Sequence, residues 1–404
     1  MSDTTPTPDP HFDRSRKTWL RPPILRVMDQ EGRSATWLEL FFDLCFVASV
    51  ASLGAVLHSD PTWEGALRFA ALFVPVWWGW MGFTWYATAF DTDDVVYRLS
   101  LLAAMLAILA LAVSVGRMRD GDTTGFVVSY VVLQAILVSL LLRARQHAHE
   151  TRNFTTWYAG GYAVGGLIWL ASLAVPTPGQ YWVWVIAMAV LMTTPMLAVR
   201  TYEGQPFDSS HIPERYGLFT IIVLGESVIA VAAATAGTGW AVASGLTAAA
   251  GFGIAACIWW VYFDFVEATA LRRDDMVRAF VWGYSHLGVY VGIAATAVGI
   301  QFAIDAVAEH HALSSVERAT FLGGAALYLL AIALIHFVTV ASFDHVIAAR
   351  LAGAAAIGAL GAAAPWLSAM AIVLIAFALL ASHTAYEVVR AGPMDRAPPI
   401  AERH

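Results

Sequence analysis

Two cysteines and a single lysine, Lys17, occur in the 404-residue chain, and only 13% of its residues are charged. Ordinary soluble domains run near a quarter charged. Cys45 and Cys257 both lie in apolar stretches without CxxC or Cys/His spacing, which excludes a disulfide framework and offers no zinc site. There is no GxxxxGK(S/T) phosphate loop, no strand-borne GxGxxG and no HExxH helix. Long polar segments are missing too, so nothing in the sequence could form a separate enzymatic domain. Catalytic residues, cofactors, a resident metal and nucleic-acid partners are accordingly not expected. His147 with His149, and His310 with His311, read as solvated loop histidines. No short apolar run with a cleavage site follows the polar, Pro-rich start MSDTTPTPDPHF, so a removable leader is not expected either.

Apolar residues are what the chain does have: 59% hydrophobic, a mean hydropathy of +0.64, sixteen Trp, twenty-one Phe and thirty-one Gly. Aromatic belts and close helix contacts in lipid account for that composition. The predicted fold is an all-α integral membrane protein of about twelve transmembrane helices, since roughly twenty apolar residues span a bilayer. The segments are 34–57, 65–89, 97–116, 124–143, 155–175, 181–199, 214–235, 240–266, 276–304, 316–342, 345–362 and 365–388, with 345–362 the weakest because His345 and Arg350 shorten it. With the N-terminus inside, the cytoplasmic group holds nineteen of the twenty-three Lys and Arg residues, and the outer group only Arg68, Arg117, Arg119 and Arg318. Positive residues resist translocation. Both termini are therefore expected on the cytoplasmic side of the plasma (inner) membrane.

Overlaying the two halves at an offset near 182 residues places Trp77-Trp78 on Trp259-Trp260, Asp93-Asp94 on Asp274-Asp275, Asp43 on Glu226 and Arg33 on Arg215. This predicts two tandem six-helix repeats of parallel orientation. The organisation is then a disordered basic tail over 1–33, a first repeat over 34–200, a cytoplasmic linker over 201–213, a second repeat over 214–388 and a C-terminal tail over 389–404.

An ionisable side chain deep in a bilayer is expensive unless paired, wet or neutral, so each one is a candidate site. In TWLELFFDLCFVASV, Glu39 and Asp43 stand at i and i+4 and share one helix face. Glu226 follows Gly225 and precedes Ser227 in the seventh segment, and His286 lies with Tyr284 and Ser285 in the ninth. Asp43, Glu226 and His286 all count to near mid-membrane, with Glu39 shallower. The two deep carboxylates would bind a proton or cation, and the histidine would relay. Ser227, Asp264, His336 and His383 are secondary candidates; apart from Ser227 they fall toward the cytoplasmic ends of their helices. Glu214 and Arg215 read as a charged helix start, the Trp pairs as packing, and Asp91, Asp93, Asp94, Asp274 and Asp275 as solvated turns. The alternative for every buried charge is a bond that only holds the bundle together.

The stretches LELFFDLCFVASV, HIPERYGLFTIIVLGESV and GYSHLGVYVGIAATAVG resemble the bacterial low temperature requirement protein A family over about Arg33 to Glu387. Cys45 replaces the Val of that family's usual FFDLVFVFA pattern. The resemblance implies a multi-pass membrane protein and carries over no catalytic residue. Phe41-Phe42-Asp43 is also similar to a short motif in six-helix repeats of a potassium and proton channel family. The leading expectation is a secondary transporter of a small solute or ion, possible proton coupling included. A cation or proton channel is the alternative, and a non-transporting component of cold adaptation, assembly or sensing the third. Expected partners are the lipid bilayer, an unidentified small solute or ion, and a second copy of the chain as a candidate.

Overall fold

In the computed structural model the described residues are 23–25, 36–148, 151–201, 211–238, 241–265, 276–363 and 365–390. They form twelve long helices: α1 (Trp37–Ser59), α2 (Trp63–Ala89), α3 (Val95–Arg117), α4 (Thr124–His147), α5 (Arg152–Ala171), α6 (Gly179–Val199), α7 (His211–Ala236), α8 (Val242–Phe265), α9 (Met276–Glu309), α10 (Ser315–Val340), α11 (His345–Ala363) and α12 (Ala369–Arg390). One two-residue antiparallel ladder pairs β1 (Ile24–Leu25) with β2 (Phe90–Asp91) at the end of α2. The chain is a multi-pass all-α membrane protein, as its composition requires. The end of the bundle where α1 begins is called the near end below, and the opposite end the far end.

Eleven of the twelve helices are long and apolar enough to cross a membrane. The one that falls short is α5 rather than the weak-looking α11. Four glycines, two threonines and two tyrosines dilute its hydropathy. Its 20 residues still measure about 30 Å at 1.5 Å rise, a bilayer core's thickness, and it packs between α4 and α6.

Within each half the helices neighbour one another in sequence-related order. Helix α1 packs on α2 and α3, α3 on α4, α4 on α5 and α5 on α6; α7 packs on α8 and α9, α9 on α10, α10 on α11 and α11 on α12. The second half adds a broad contact of α8 with α12. The halves meet where α1 and α2 touch α7 and α9. At 34 residues, α9 is about 51 Å long and is the most enclosed span, with α2 next. Glycines let α10 approach α9: a Cβ on Gly292 would stand 2.8 Å from the Gly324 carbonyl oxygen, and one on Gly299 would stand 2.3 Å from Phe321 Cα.

Trp77 and Trp78 are fully buried, whereas Trp259 and Trp260 are exposed, so the matched Trp pairs occupy different environments. Arg33, Asp274 and Asp275, and most of the two tails and of the 201–213 linker, lie outside the described residues; of the N-terminal tail, Ile24–Leu25 form β1.

Candidate functional site

Helix α1 starts at Thr36 because that residue closes a capping box: its hydroxyl accepts from Glu39 N–H, and its own N–H donates to Glu39 Oε2 at 3.1 Å. The box fixes Glu39 one turn below Asp43, facing α7. Arg215 Nη2 donates to Asp43 Oδ1 at 2.7 Å, and Arg215 Nη1 lies 3.3 Å from Glu39 Oε2. Trp80 Nε1 of α2 also donates to Asp43 Oδ1, at 2.8 Å. All four side chains are buried. Two carboxylates thus share one guanidinium, and Asp43 Oδ2 and Arg215 Nε have no hydrogen-bond partner among the described residues.

Arg215 is therefore no surface charge at a helix start. Helix α7 begins at His211, which draws Arg215 a full turn inside the bundle. Glu39 is equally internal. Asp43 lies six residues past the start of α1, about 9 Å, which places the cluster in the near third of the bundle rather than at its middle.

Glu226 is not brought to Asp43. It follows Arg215 by eleven positions on α7, about 16 Å toward the far end. There it is half-buried and lines a cavity of about 330 Å³ between α1, α7 and α9. It makes no hydrogen bond or ion pair with any described residue. The cavity climbs α1 from Val50 to His58, where His58 Nε2 meets Asp305 Oδ2 of α9 at 2.9 Å, near the far ends of both helices. Gln301 and Ser227 are its other polar lining groups, and Ser227 Oγ donates to Val223 O in its own helix.

Below Val223 an aromatic layer separates this cavity from the arginine cluster. Phe219 stacks on Trp80 with centroids 4.4 Å apart and meets Tyr290 edge-on at 4.8 Å. Tyr216 touches Trp80 at 5.2 Å and His286 at 4.7 Å. His286 itself has no carboxylate partner among the described residues: Nδ1 pairs with Trp282 O at 2.9 Å and Nε2 with Tyr262 OH at 3.1 Å, in full burial. It belongs to the aromatic layer, one ring away from Trp80.

The secondary candidates separate. Asp264 is exposed and accepts from Trp260 Nε1 at 2.8 Å in its own helix. His383 lies 2.8 Å from Glu387, whose two oxygens accept from Arg350 Nε and Nη2 at 2.7 and 2.9 Å. Arg350 is fully buried and also donates to Ile332 O of α10. His336 Nε2 pairs with Asp344 Oδ2 at 2.8 Å. Asp94, expected in a solvated turn, is buried at the N-cap of α3 and binds Arg143 of α4. The roles of Arg215 and Arg350, together with Trp80 and the His58–Asp305 pair, are not what the sequence pattern pointed to; an arginine inside an apolar run was the available signal for Arg350, whereas Glu214 beside Arg215 hides its depth.

The family model for the bacterial low temperature requirement A protein matches residues 34–383. The chain belongs to that family. The low temperature requirement A match takes in all twelve helices as far as the His383 turn of α12, and hence both the arginine cluster and the cavity. An uncharacterized protein of Rhizobium meliloti (strain 1021) is 28% identical over 312 residues, 69% of this chain and 72% of the relative. No solved structure matches the chain.

Proposed function

We propose that the protein is a secondary transporter of a small cation or protonated solute, with Glu226 as its cation-binding carboxylate. The observation that carries this reading is an unpartnered carboxylate on the wall of a cavity that climbs to the far end of the bundle, deep in a chain where lone charges are costly. Below it stand two barriers in series, the Phe219–Trp80–Tyr290 layer and the incompletely bonded Asp43–Arg215 pair. Access from one side only is the arrangement an alternating-access carrier requires, whereas a channel needs a continuous path. Trp80 belongs to both barriers, since it stacks on Phe219 and donates to Asp43, so opening one loosens the other.

The two-repeat organisation is part of this proposal. The neighbour order α1–α3–α4–α5–α6 recurs as α7–α9–α10–α11–α12, and the site lies where the halves meet, as in other transporters built from repeats. The lysine and arginine bias puts the near end, with both termini, in the cytoplasm and the cavity on the outer face of the inner membrane.

The test uses the full chain in proteoliposomes, with a pH-sensitive dye under imposed proton and alkali-cation gradients. Wild type should move protons or cations at carrier rates, and Glu226→Gln should abolish the flux while folding normally. Unaltered flux in Glu226→Gln, or none above empty liposomes for folded wild type, removes the proposal. Flux far above carrier rates would replace it with the channel.

A further inference from the structure

Helix α7 has a second cavity on the side facing α8. It measures about 460 Å³, and its lining runs along α7 from Leu224 to Ala236. Twelve residues of helix make about 18 Å. Buried residues of α9, among them Ile293 and Ile300, form its floor, and α7 and α8 form its walls. At the mouth, Val228 of α7 and Phe252 of α8 are exposed on the face of the bundle. The lining carries no charged side chain. Its three hydroxyls all turn back into their own helices: Ser227 to Val223 O, Thr235 to Val231 O and Thr296 to Gly292 O. Nothing in the groove asks for a polar ligand, and apolar cavities do not hold water.

We propose that this groove holds one acyl chain of a bilayer lipid from the far leaflet, lodged between α7 and α8. Dimensions decide between an acyl chain and a protein helix. A volume of about 460 Å³ spread along about 18 Å makes a slot too narrow for a helix. A helix with its side chains needs about 10–12 Å. The length also matches one leaflet, since half of a hydrocarbon core of about 30 Å is about 15 Å. The groove opens onto the lipid-exposed surface of two spanning helices, so the chain enters from the medium that already covers them. Lacking any cation to read a headgroup, the groove selects the acyl chain and not the lipid class. Ser227 lines both this groove and the Glu226 cavity, so the bound chain supports from behind the part of α7 that carries Glu226.

The test reconstitutes the full chain in vesicles containing a phosphatidylcholine with a mid-chain diazirine, followed by photolysis and peptide mapping. Cross-links to Ile293 and Ile300 are expected, because these buried floor residues are reachable only from inside the groove. Ala255→Phe, which fills the groove, should reduce them several-fold while labelling of exposed Leu106 and Val113 on α3 stays unchanged. Ala248→Leu is the replacement should Ala255→Phe fail to fold. Floor labelling absent from wild type, or undiminished in a folded filled variant, overturns the proposal, as does cross-linking between two copies of the chain at these positions in place of lipid.

Discussion

At Asp43 the chain holds a carboxylate whose bonding is incomplete although three groups surround it. Removing one partner of a buried pair strands the other and costs about 3–5 kcal/mol. Arg215→Ala leaves Asp43 and Glu39 facing one another without a counter-charge, so its thermal unfolding in detergent should fall furthest. Asp43→Asn keeps an acceptor for Trp80 and leaves Glu39 for Arg215, so its loss should be smaller, about 1–3 kcal/mol. The double variant Asp43→Asn/Arg215→Gln should recover part of the Arg215→Ala loss, because charges in one network do not add. Equal destabilisation by all three would show that the cluster is not a coupled unit. Asp43 was legible as a site because a carboxylate between Phe42 and Leu44 has no cheap explanation. Arg215 was not, since Glu214 beside it imitates a charged helix start, and only the earlier beginning of α7 at His211 reveals its depth. Equal offsets are not equal depths: it is Arg215 that stands level with Asp43, and Glu226 lies eleven positions further along α7.

The central element is α9, whose contact with α10 depends on missing side chains. A Cβ on Gly299 would stand 2.3 Å from Phe321 Cα, which is backbone and cannot rotate away. Gly299→Ala should therefore separate α9 from α10 and lower stability by about 1–3 kcal/mol through overpacking. Gly323→Ala, on α10 with open space around it, should leave thermal unfolding unchanged, and parity between the two would refute a glycine-dependent seam. At the corner between α10 and α11, Asp344 accepts from Ile347 N–H at 2.9 Å, from Val346 N–H at 3.0 Å and from His336 Nε2 at 2.8 Å. Burial opposes its ionisation, but these bonds more than offset burial and hold its pKa below the usual carboxylate value. Its folded pKa being the lower one, it stabilises the corner fully above the unfolded carboxylate pKa of about 4 and loses that contribution as pH falls through the folded value. Asp344→Asn should abolish this part of the acid sensitivity, seen as a flatter thermal-stability profile between about pH 5 and 3. An unchanged profile would mean that the corner contributes nothing. Helix positions were legible from hydropathy to within a few residues. The weakest span by hydropathy is α5 and not α11, because its glycines dilute its apolar signal while leaving its length sufficient.

Across the whole molecule the buried charges are unevenly distributed. Among the described residues, Arg215 with Glu39 and Asp43, Arg143 with Asp94, and Arg350 with Glu387 all tie helices at the near end. The far end is joined there by partly exposed pairs, His58 with Asp305 and Arg68 with Asp60 and Glu64, and it is where the Glu226 cavity climbs to His58. Counting charges in a sequence gives topology but not this asymmetry, because helix packing decides which charges meet: consecutive helices for Arg143–Asp94 and Arg350–Glu387, the two halves for Arg215–Asp43. The asymmetry fits a carrier held open to one side, and it predicts which side reacts. In a chain with Cys45 and Cys257 replaced by Ala, a cysteine at Ala233, which lines the cavity, should react with an impermeant maleimide added from the far side only. Adding Asp43→Asn/Arg215→Gln removes the near-end pair while Phe219 stays in place, and labelling from the near side should then appear together with slower labelling from the far side. Both changes are needed, because a barrier that merely leaked would gain near-side labelling without losing the other. Gain without loss would mark the cluster as a plug in a channel, and no change on either side would leave it a structural tie with no part in access.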